Sequence, residues 1–173
     1  SNLVQSKFHL GEILYHEGKI NEAIAHQEKV IELAIQYEEM KYYLKSSIEL
    51  AKYYRKQKKY NKAKKYYDEI IALAEKYQVE RSVAYTKKEM AAMYFEQGKI
   101  TEAKHLIDTA IEWIMEKGWT DQKMDALLVA YKVDSASQNY QAALSHYQKY
   151  SVMLSSTKDK EFLLHEAKNN YKK

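Results

Sequence analysis

The sequence repeats itself every 40 residues, and this period constrains the fold more than any other feature. An alanine returns in register in each of four units, and the residue three positions before it is always isoleucine or tyrosine. A repeat of this length is one supersecondary unit, which buries its apolar face only by stacking on its neighbours. We therefore predict stacked units at about 3–40, 41–80, 81–120 and 121–157. The marker residues are Ile20 and Ala23, Tyr60 and Ala63, Ile100 and Ala103, and Tyr140 and Ala143.

Each unit carries the pattern of two amphipathic helices. From Ala23 to Ala34 apolar residues follow the spacing i, i+1, i+7, i+8 and i+11, which is the stripe of a 3.6-residue period. The chain has only 4 Gly and no Pro, so the residues that favour the tight turns of sheets are scarce. We predict an all-α fold with Asn21, Asn61 and Thr101 as helix N-caps. The predicted helices span about 3–17, 21–37, 41–57, 61–78, 80–97, 101–117, 121–137, 141–155 and 158–171.

Three stretches resemble the tetratricopeptide repeat (TPR): LGEILYHEGKINEAI, LAKYYRKQKKYNKAK and MAAMYFEQGKITEAK. Each has a small residue in the first helix (Gly11, Ala51 or Ala91) and an alanine early in the second. The resemblance implies a right-handed α-solenoid of four TPR helix hairpins plus a C-terminal capping helix. The unit is longer than the family's usual length of about 34 residues and lacks its common terminal proline. This long form is similar to the repeats of bacterial peptide-sensing regulators and TPR-bearing bacterial sensors.

The resemblance also sorts the 17 tyrosines. Tyr15, Tyr42 and Tyr85 fall outside the family's core positions, and we expect them to be available to a partner, because tyrosine combines apolar area with a hydroxyl. Six others occupy positions that the family fills with bulky core residues. These are Tyr54, Tyr60, Tyr67, Tyr94, Tyr140 and Tyr147.

We expect residues 1–173 to form a single TPR domain that is a fragment of a longer protein, because the pattern begins inside a helix and ends without a stop signal. The ninth predicted helix has an apolar face that would cover the fourth unit. An uncovered last hairpin would expose a core face. The face consists of Phe162, Leu163, Ala167 and Tyr171.

The sequence contains none of the common catalytic patterns. Cysteine is absent, which excludes thiolate metal sites and a cysteine nucleophile. The six histidines do not form an H-E-x-x-H motif, and the four glycines form neither a phosphate-binding loop nor a G-x-S-x-G elbow. We therefore predict a chain that is not an enzyme and needs no metal or cofactor.

The resemblance places a peptide-binding groove on the first helix of each unit. Its centre would be basic, with apolar and aromatic walls, which suits an acidic protein or peptide ligand. The chaperone-binding form of the repeat needs asparagine in this groove, and the matching positions here are Glu12, Lys52, Ala92 and Lys132. Binding of chaperone tails is therefore not predicted. The predicted groove residues are Phe8, Glu12, Tyr15, Lys45, Ile48, Lys52, Arg55, Tyr85, Lys88, Phe95, Leu128 and Lys132.

Two alternatives remain at this point. One is a homo-oligomer formed through the ends of the solenoid, with Phe162, Leu163 and Tyr171 in contact. The other is a nucleic-acid-binding repeat that uses the run from Lys52 to Lys65, which has eight basic residues and no acid. Nucleic acid is the weaker alternative, because among 28 basic residues only two are Arg, and arginine is favoured for phosphate recognition.

The most concrete prediction is a noncatalytic, protein- or peptide-binding module from a bacterial signalling or transcription-regulatory protein. No stretch approaches the 18 or more apolar residues that a membrane span requires. The lack of cysteine suits both the cytosol and the periplasm. A cytoplasmic location is the expectation.

Overall fold

A computed structural model describes the backbone of residues 2–170 and the side chains of residues 2–158 and 161. The described residues form eight α-helices and no strand, which confirms the all-α prediction. From α3 onward every helix begins 20 residues after the one before it, so each 40-residue unit is one helix hairpin. The helices are α1 Asn2–His16, α2 Ile20–Gln36, α3 Met40–Lys56, α4 Tyr60–Lys76, α5 Glu80–Glu96, α6 Ile100–Glu116, α7 Thr120–Ala136 and α8 Tyr140–Asn170.

Every corner between helices uses one residue in the left-handed region. At the α2–α3 corner Glu38 has a φ of 56°, and the N–H of Glu39 bonds to the carbonyl of Ala34 at 2.8 Å. This is the Schellman arrangement, which satisfies carbonyls left over at a helix C-terminus. It recurs at intervals of 20 residues because the helices and corners have constant lengths. The left-handed residues are Gly18, Glu38, Lys58, Gln78, Gly98, Gly118 and Gln138.

The predicted N-caps were wrong by two positions. Helices α2, α4 and α6 are preceded by lysines at 19, 59 and 99, none of which makes a side-chain cap hydrogen bond. Asn21, Asn61 and Thr101 are each the second residue of their helix. Each corner has three residues, and the third, which follows the left-handed residue, is the N-cap of the next helix. The predicted cap positions therefore lie inside the helices.

The chain divides into two compact units, Ser1–Met93 and Tyr94–Lys173, with the boundary inside α5. In unit 1, α1 packs on α2, α2 on α3, α3 on α4, and α1 also contacts α3. One part of its core joins Val4 and Phe8 of α1 to Val30 and Ala34 of α2. In unit 2, α6 packs on α7 and α7 packs on α8. The prediction of a single domain over 1–173 stays a prediction.

The C-terminal region differs from the sequence prediction. Residues 140–170 form one continuous helix, so the separate ninth helix at 158–171 does not form within the described residues. At 1.5 Å per residue α8 is about 46 Å long, compared with about 26 Å for α7. A continuous helix cannot fold back over its own side. The capping residues Phe162, Leu163, Ala167 and Tyr171 lie outside the described side chains.

The predicted tyrosine core is correct in the middle of the chain and wrong at its end. Tyr54 and Tyr67 are buried, whereas Tyr140 and Tyr147 are exposed on α8. Both exposed rings occupy positions at which earlier second helices face the following hairpin. The described residues contain no hairpin after α8.

Candidate functional site

In unit 1 the first helices of successive hairpins contact one another through their side chains. The ring of Tyr15 in α1 stacks on Tyr53 of α3, with centroids 4.4 Å apart and an interplanar angle of 13°. Phe8 of α1 lies 5.9 Å from Tyr42 of α3, and hydrogen bonds join α3 to α5. These contacts define a continuous surface, the first-helix face, formed by α1, α3 and the part of α5 within unit 1.

At the centre of this face, Glu49 and Lys52 of α3 form an ion pair beside Tyr85 of α5. Lys52 Nζ donates to both carboxylate oxygens of Glu49, at 2.9 and 3.0 Å, and to Tyr85 Oη at 3.4 Å. Burial favours the neutral form of Lys52, but Glu49, Tyr85 and Glu89 outweigh it and raise the lysine pKa. Burial also raises the pKa of Glu49, although Lys52 opposes that shift.

A second carboxylate, Glu89 of α5, is buried and holds two more cations. Arg55 Nη1 donates to Glu89 Oε2 at 2.8 Å and to the Glu89 carbonyl at 3.0 Å. Lys88 Nζ lies 2.8 Å from Glu89 Oε1 and 4.3 Å from the centroid of the Tyr85 ring. Burial alone would raise the pKa of Glu89, but Lys88, Arg55 and Lys52 lower it to about 2. The carboxylate is therefore charged at any physiological pH.

This arrangement changes the electrostatics expected of the groove. Lys52, Arg55 and Lys88 are the cations predicted to bind a ligand, and that prediction does not include Glu49 and Glu89. Three positive charges and two negative charges leave a net charge of +1 at the centre. Glu49 precedes Lys52 by three residues and so lies on the same side of the helix. This spacing is the signal in the sequence that could have predicted their ion pair. The pairing of Arg55 with Glu89, 34 residues apart, has no signal in a single sequence.

The other predicted groove residues of unit 1 divide into exposed and buried sets. Lys45 is exposed, with Nζ 5.5 Å from the Phe8 ring centroid. Glu12 is half-buried and pairs with His9 at 2.9 Å. Phe8 and Ile48 are buried in the core, so the aromatic area of the face comes from the half-buried Tyr15 and Tyr85.

Three predicted groove residues lie in unit 2. Phe95, near the end of α5, and Leu128, in α7, are half-buried. Lys132 of α7 is exposed. Their role in ligand binding stays a prediction.

The basic run from Lys52 to Lys65 is not a single charged surface. Lys52 and Arg55 pair with glutamates on the first-helix face. On α4, Lys64 pairs with Asp68 at 2.5 Å and Lys65 lies 3.9 Å from Glu69. Lys62 lies over the ring of Tyr54 at 4.0 Å. The run is therefore divided between two helices and a corner.

Unit 2 contains a buried cluster of ionisable side chains that was not predicted from the sequence. Asp134 of α7 replaces the tyrosine found at positions 54 and 94 and is buried. Its carboxylate lies 2.8 Å from Lys104 Nζ of α6 and 2.8 Å from His146 Nδ1 of α8. The aspartate thus connects three helices where the other repeats pack an apolar or aromatic side chain.

Two further classes of site are absent from the part of the chain that the structure describes. No group of three or more histidine, aspartate or glutamate side chains there could hold a metal ion. None of the described helices is long and apolar enough to cross a bilayer.

Comparisons with known proteins agree with this architecture. A family model described as tetratricopeptide repeat matches residues 3–76, whereas no curated protein matches the chain significantly. The TPR-like repeats of a Podosopora anserina protein assigned as a kinesin light chain superpose with a TM-score of 0.69 at 18% identity, covering 89% of this chain and 76% of that one.

Two other solved structures are similar. BtubC (BKLC) from P. vanneervenii gives a TM-score of 0.73 at 16% identity, over 90% of this chain and 65% of that chain. The apo form of RapI gives 0.77 at 18% identity, over 92% of this chain and 58% of that one. At these identities the similarity shows the fold, and the chain spans less than two thirds of either protein.

Proposed function

We propose that the chain is a noncatalytic module that binds a protein or peptide segment, because a tetratricopeptide-repeat family model matches residues 3–76. It serves as the sensing or scaffolding part of a bacterial signalling or transcription-regulatory protein. One fold can host many functions, so function follows from the chemistry of the site. The observation that supports it best is the first-helix face of unit 1, where aromatic rings and cations of three helices lie side by side.

The charges on this face favour a ligand segment that carries carboxylates and apolar side chains. Lys45 and Lys52 lie two helical turns apart on the same side of α3 and are the cations that a ligand carboxylate would meet. Tyr85 lies beside Lys52 and Tyr15 stacks on Tyr53 of the same helix, and both offer ring surface to apolar side chains. Arg55 and Lys88 act indirectly, because their charges neutralise the buried Glu89.

The test is binding of a fluorescein-labelled peptide of alternating Glu and Leu, measured by fluorescence anisotropy. A peptide of the same length with Lys in place of Glu is the reference. We expect the acidic peptide to bind more tightly, and the double variant Lys45→Ala/Lys52→Met to weaken its binding by about tenfold, because two charge-assisted contacts are lost.

The matched control is Lys64→Ala/Lys65→Ala, which removes the same charge from α4. Arg55 and Lys88 are left intact, because their removal would leave the buried Glu89 charged without compensation. Glu49, the partner of Lys52, is half-buried and has a raised pKa, so it can take up a proton when Lys52 is replaced. Circular dichroism melting checks that each variant is folded. Equal affinities for the two peptides, or equal losses in the two double variants, would contradict the proposed surface.

A further inference from the structure

The two lysines that a ligand carboxylate would meet on the first-helix face differ in their surroundings. Lys45 is exposed, and its Nζ lies 5.5 Å from the centroid of the Phe8 ring. Lys52 is half-buried, with 24% of its side chain exposed, and its Nζ lies 2.9 Å from Glu49 Oε1. A ligand can therefore reach Lys45 directly, whereas Lys52 is already bound to a carboxylate of the chain itself.

The hydrogen bonds of Lys52 account for every donor of its ammonium group. Nζ donates to Glu49 Oε1 and Oε2, at 2.9 and 3.0 Å, and to Tyr85 Oη at 3.4 Å. A lysine ammonium has three N–H donors and no acceptor. A ligand carboxylate that forms a charge-assisted bond to Lys52 therefore takes a donor from Glu49 or Tyr85, and Glu49 holds two of the three.

Glu49 carries the same functional group as the proposed ligand and depends on Lys52 to stay ionised. Only 13% of its side chain is exposed, and a carboxylate in such a position needs a cation to compensate for lost solvation. Burial raises the pKa of Glu49, Lys52 opposes that shift, and Glu89 and Glu12 add to it. Without Lys52 the group would favour its neutral form.

We propose that Glu49 is an internal competitor of the ligand, which holds the Lys52 ammonium in the free protein and is displaced when an acidic segment binds. This inference rests on the proposed function, since it concerns the same face. The displaced Glu49 takes up a proton from solvent, because Lys52 then neutralises the ligand instead. Binding is therefore coupled to proton uptake, and the face binds an acidic segment more tightly as pH falls.

The groups around Glu49 determine how this coupling can be measured. Burial opposes ionisation of Glu89, but Lys88, Arg55 and Lys52 lower its pKa to about 2, so it takes up no proton near neutral pH. A Glu49→Gln variant retains every other ionisable group, and its difference from the unmodified chain isolates Glu49. The groups that face Glu49 or Lys52 are Tyr53 of α3, Glu12 of α1 with its partner His9, Tyr85 and Glu89 of α5, and Tyr67 of α4, whereas Glu28 of α2 bonds to Tyr54.

The experiment is isothermal titration calorimetry at pH 7 with the peptide of alternating Glu and Leu. Heats measured in phosphate and in Tris, which differ in ionisation enthalpy, give the number of protons taken up together with the affinity. We expect the unmodified chain to take up as much as about one proton per peptide. Glu49→Gln should take up fewer and bind about tenfold more tightly, because its amide competes less well for Lys52.

The matched control is Glu32→Gln, which removes the same charge from an i, i+3 ion pair on α2. Glu32 Oε2 lies 2.6 Å from Lys29 Nζ, and both side chains are exposed. This change should alter the affinity by less than about twofold, because the pair lies on a second helix and outside the first-helix face. A gain equal to that of Glu49→Gln would show that only the overall charge of the chain matters and would overturn the proposal.

The outcomes separate this inference from the proposed function. Peptide binding without proton uptake, or a Glu49→Gln affinity no higher than that of the unmodified chain, overturns the competitor and leaves the proposed function intact. If neither the unmodified chain nor Glu49→Gln prefers the acidic peptide to its Lys counterpart, both are wrong. Circular dichroism checks the folding of each variant, and the proton count of the unmodified chain depends on no substitution.

Discussion

At the scale of single residues, the main finding is that three cations of the predicted groove, Lys52, Arg55 and Lys88, pair with carboxylates of the chain itself. Glu89 is buried, and Arg55 and Lys88 both lie 2.8 Å from its carboxylate. A buried carboxylate keeps its charge only when such partners compensate for lost solvation. Arg55 and Lys88, which were predicted to bind a ligand, therefore stabilise the folded state of unit 1.

This arrangement predicts a specific dependence of stability on pH. The pKa of Glu89 is lowered from 4.5 to about 2 by folding, so the unfolded chain takes up a proton first as pH falls. The contribution of Glu89 is present above pH 5 and is lost as pH falls towards about 2, and it amounts to about 3 kcal/mol. Glu49 has a raised pKa, so folding favours its protonated form and its contribution to stability grows as pH falls.

Urea unfolding between pH 7 and pH 3 measures this dependence. We expect Glu89→Gln to lower the free energy of unfolding at neutral pH and to flatten its decline below pH 5. Glu102→Gln, at an exposed site on α6, is the control and should leave the decline unchanged. A Glu89→Gln variant that declines as steeply as the unmodified chain would show that this carboxylate is not the responsible group.

At the scale of helices and corners, the constant corner geometry explains how the chain turns with few glycines and no proline. Seven corners place one residue at positive φ, and at four of them that residue is not glycine. Lys58 turns with a φ of 59°, whereas Lys158, five 20-residue intervals later, stays within α8. The local residue type therefore does not decide where the chain turns. Packing of the next helix has to offset the free-energy cost of placing a residue other than glycine at positive φ.

The corner geometry predicts opposite effects for two substitutions. Lys58→Gly should raise the free energy of unfolding by about 1 kcal/mol, because glycine adopts positive φ without a Cβ clash. Gly98→Ala, at a φ of 72°, should lower it by about the same amount. Urea denaturation measures both. As a control, Lys65→Gly within α4 should be destabilising by about 1 kcal/mol, and a destabilising Lys58→Gly would contradict the corner argument.

At the scale of the whole molecule, the net charge of +4 overstates how basic any one surface is. The densest run of basic residues is divided between the first-helix face, a corner and α4, and four of its eight charges pair with an acidic side chain. Affinity for nucleic acid depends on several cations meeting phosphates together. The distribution of charge does not favour such a contact.

We therefore expect only weak binding of duplex or single-stranded nucleic acid at physiological salt. Fluorescence anisotropy with labelled oligonucleotides at low and physiological salt measures it, and any low-salt binding should disappear as counterions compete. Tight binding that persists at physiological salt and is reduced by Lys56→Ala/Lys59→Ala would show that the corner lysines act together.

The sequence alone determined the helical class, the 40-residue repeat and the hairpin within each unit. These features follow from the period of apolar residues along the chain, which is local information. Tertiary structure alone decided the rest: that Glu89 pairs with Arg55 and Lys88, that Asp134 pairs with Lys104 and His146, and that α8 continues past residue 157.

The exposure of repeat positions likewise required the tertiary structure. Tyr67 and Tyr147 occupy the same position of the repeat, and one is buried while the other is exposed. The physical reason is that burial and charge pairing depend on which helix lies alongside, and a residue's own place in the period does not contain that information.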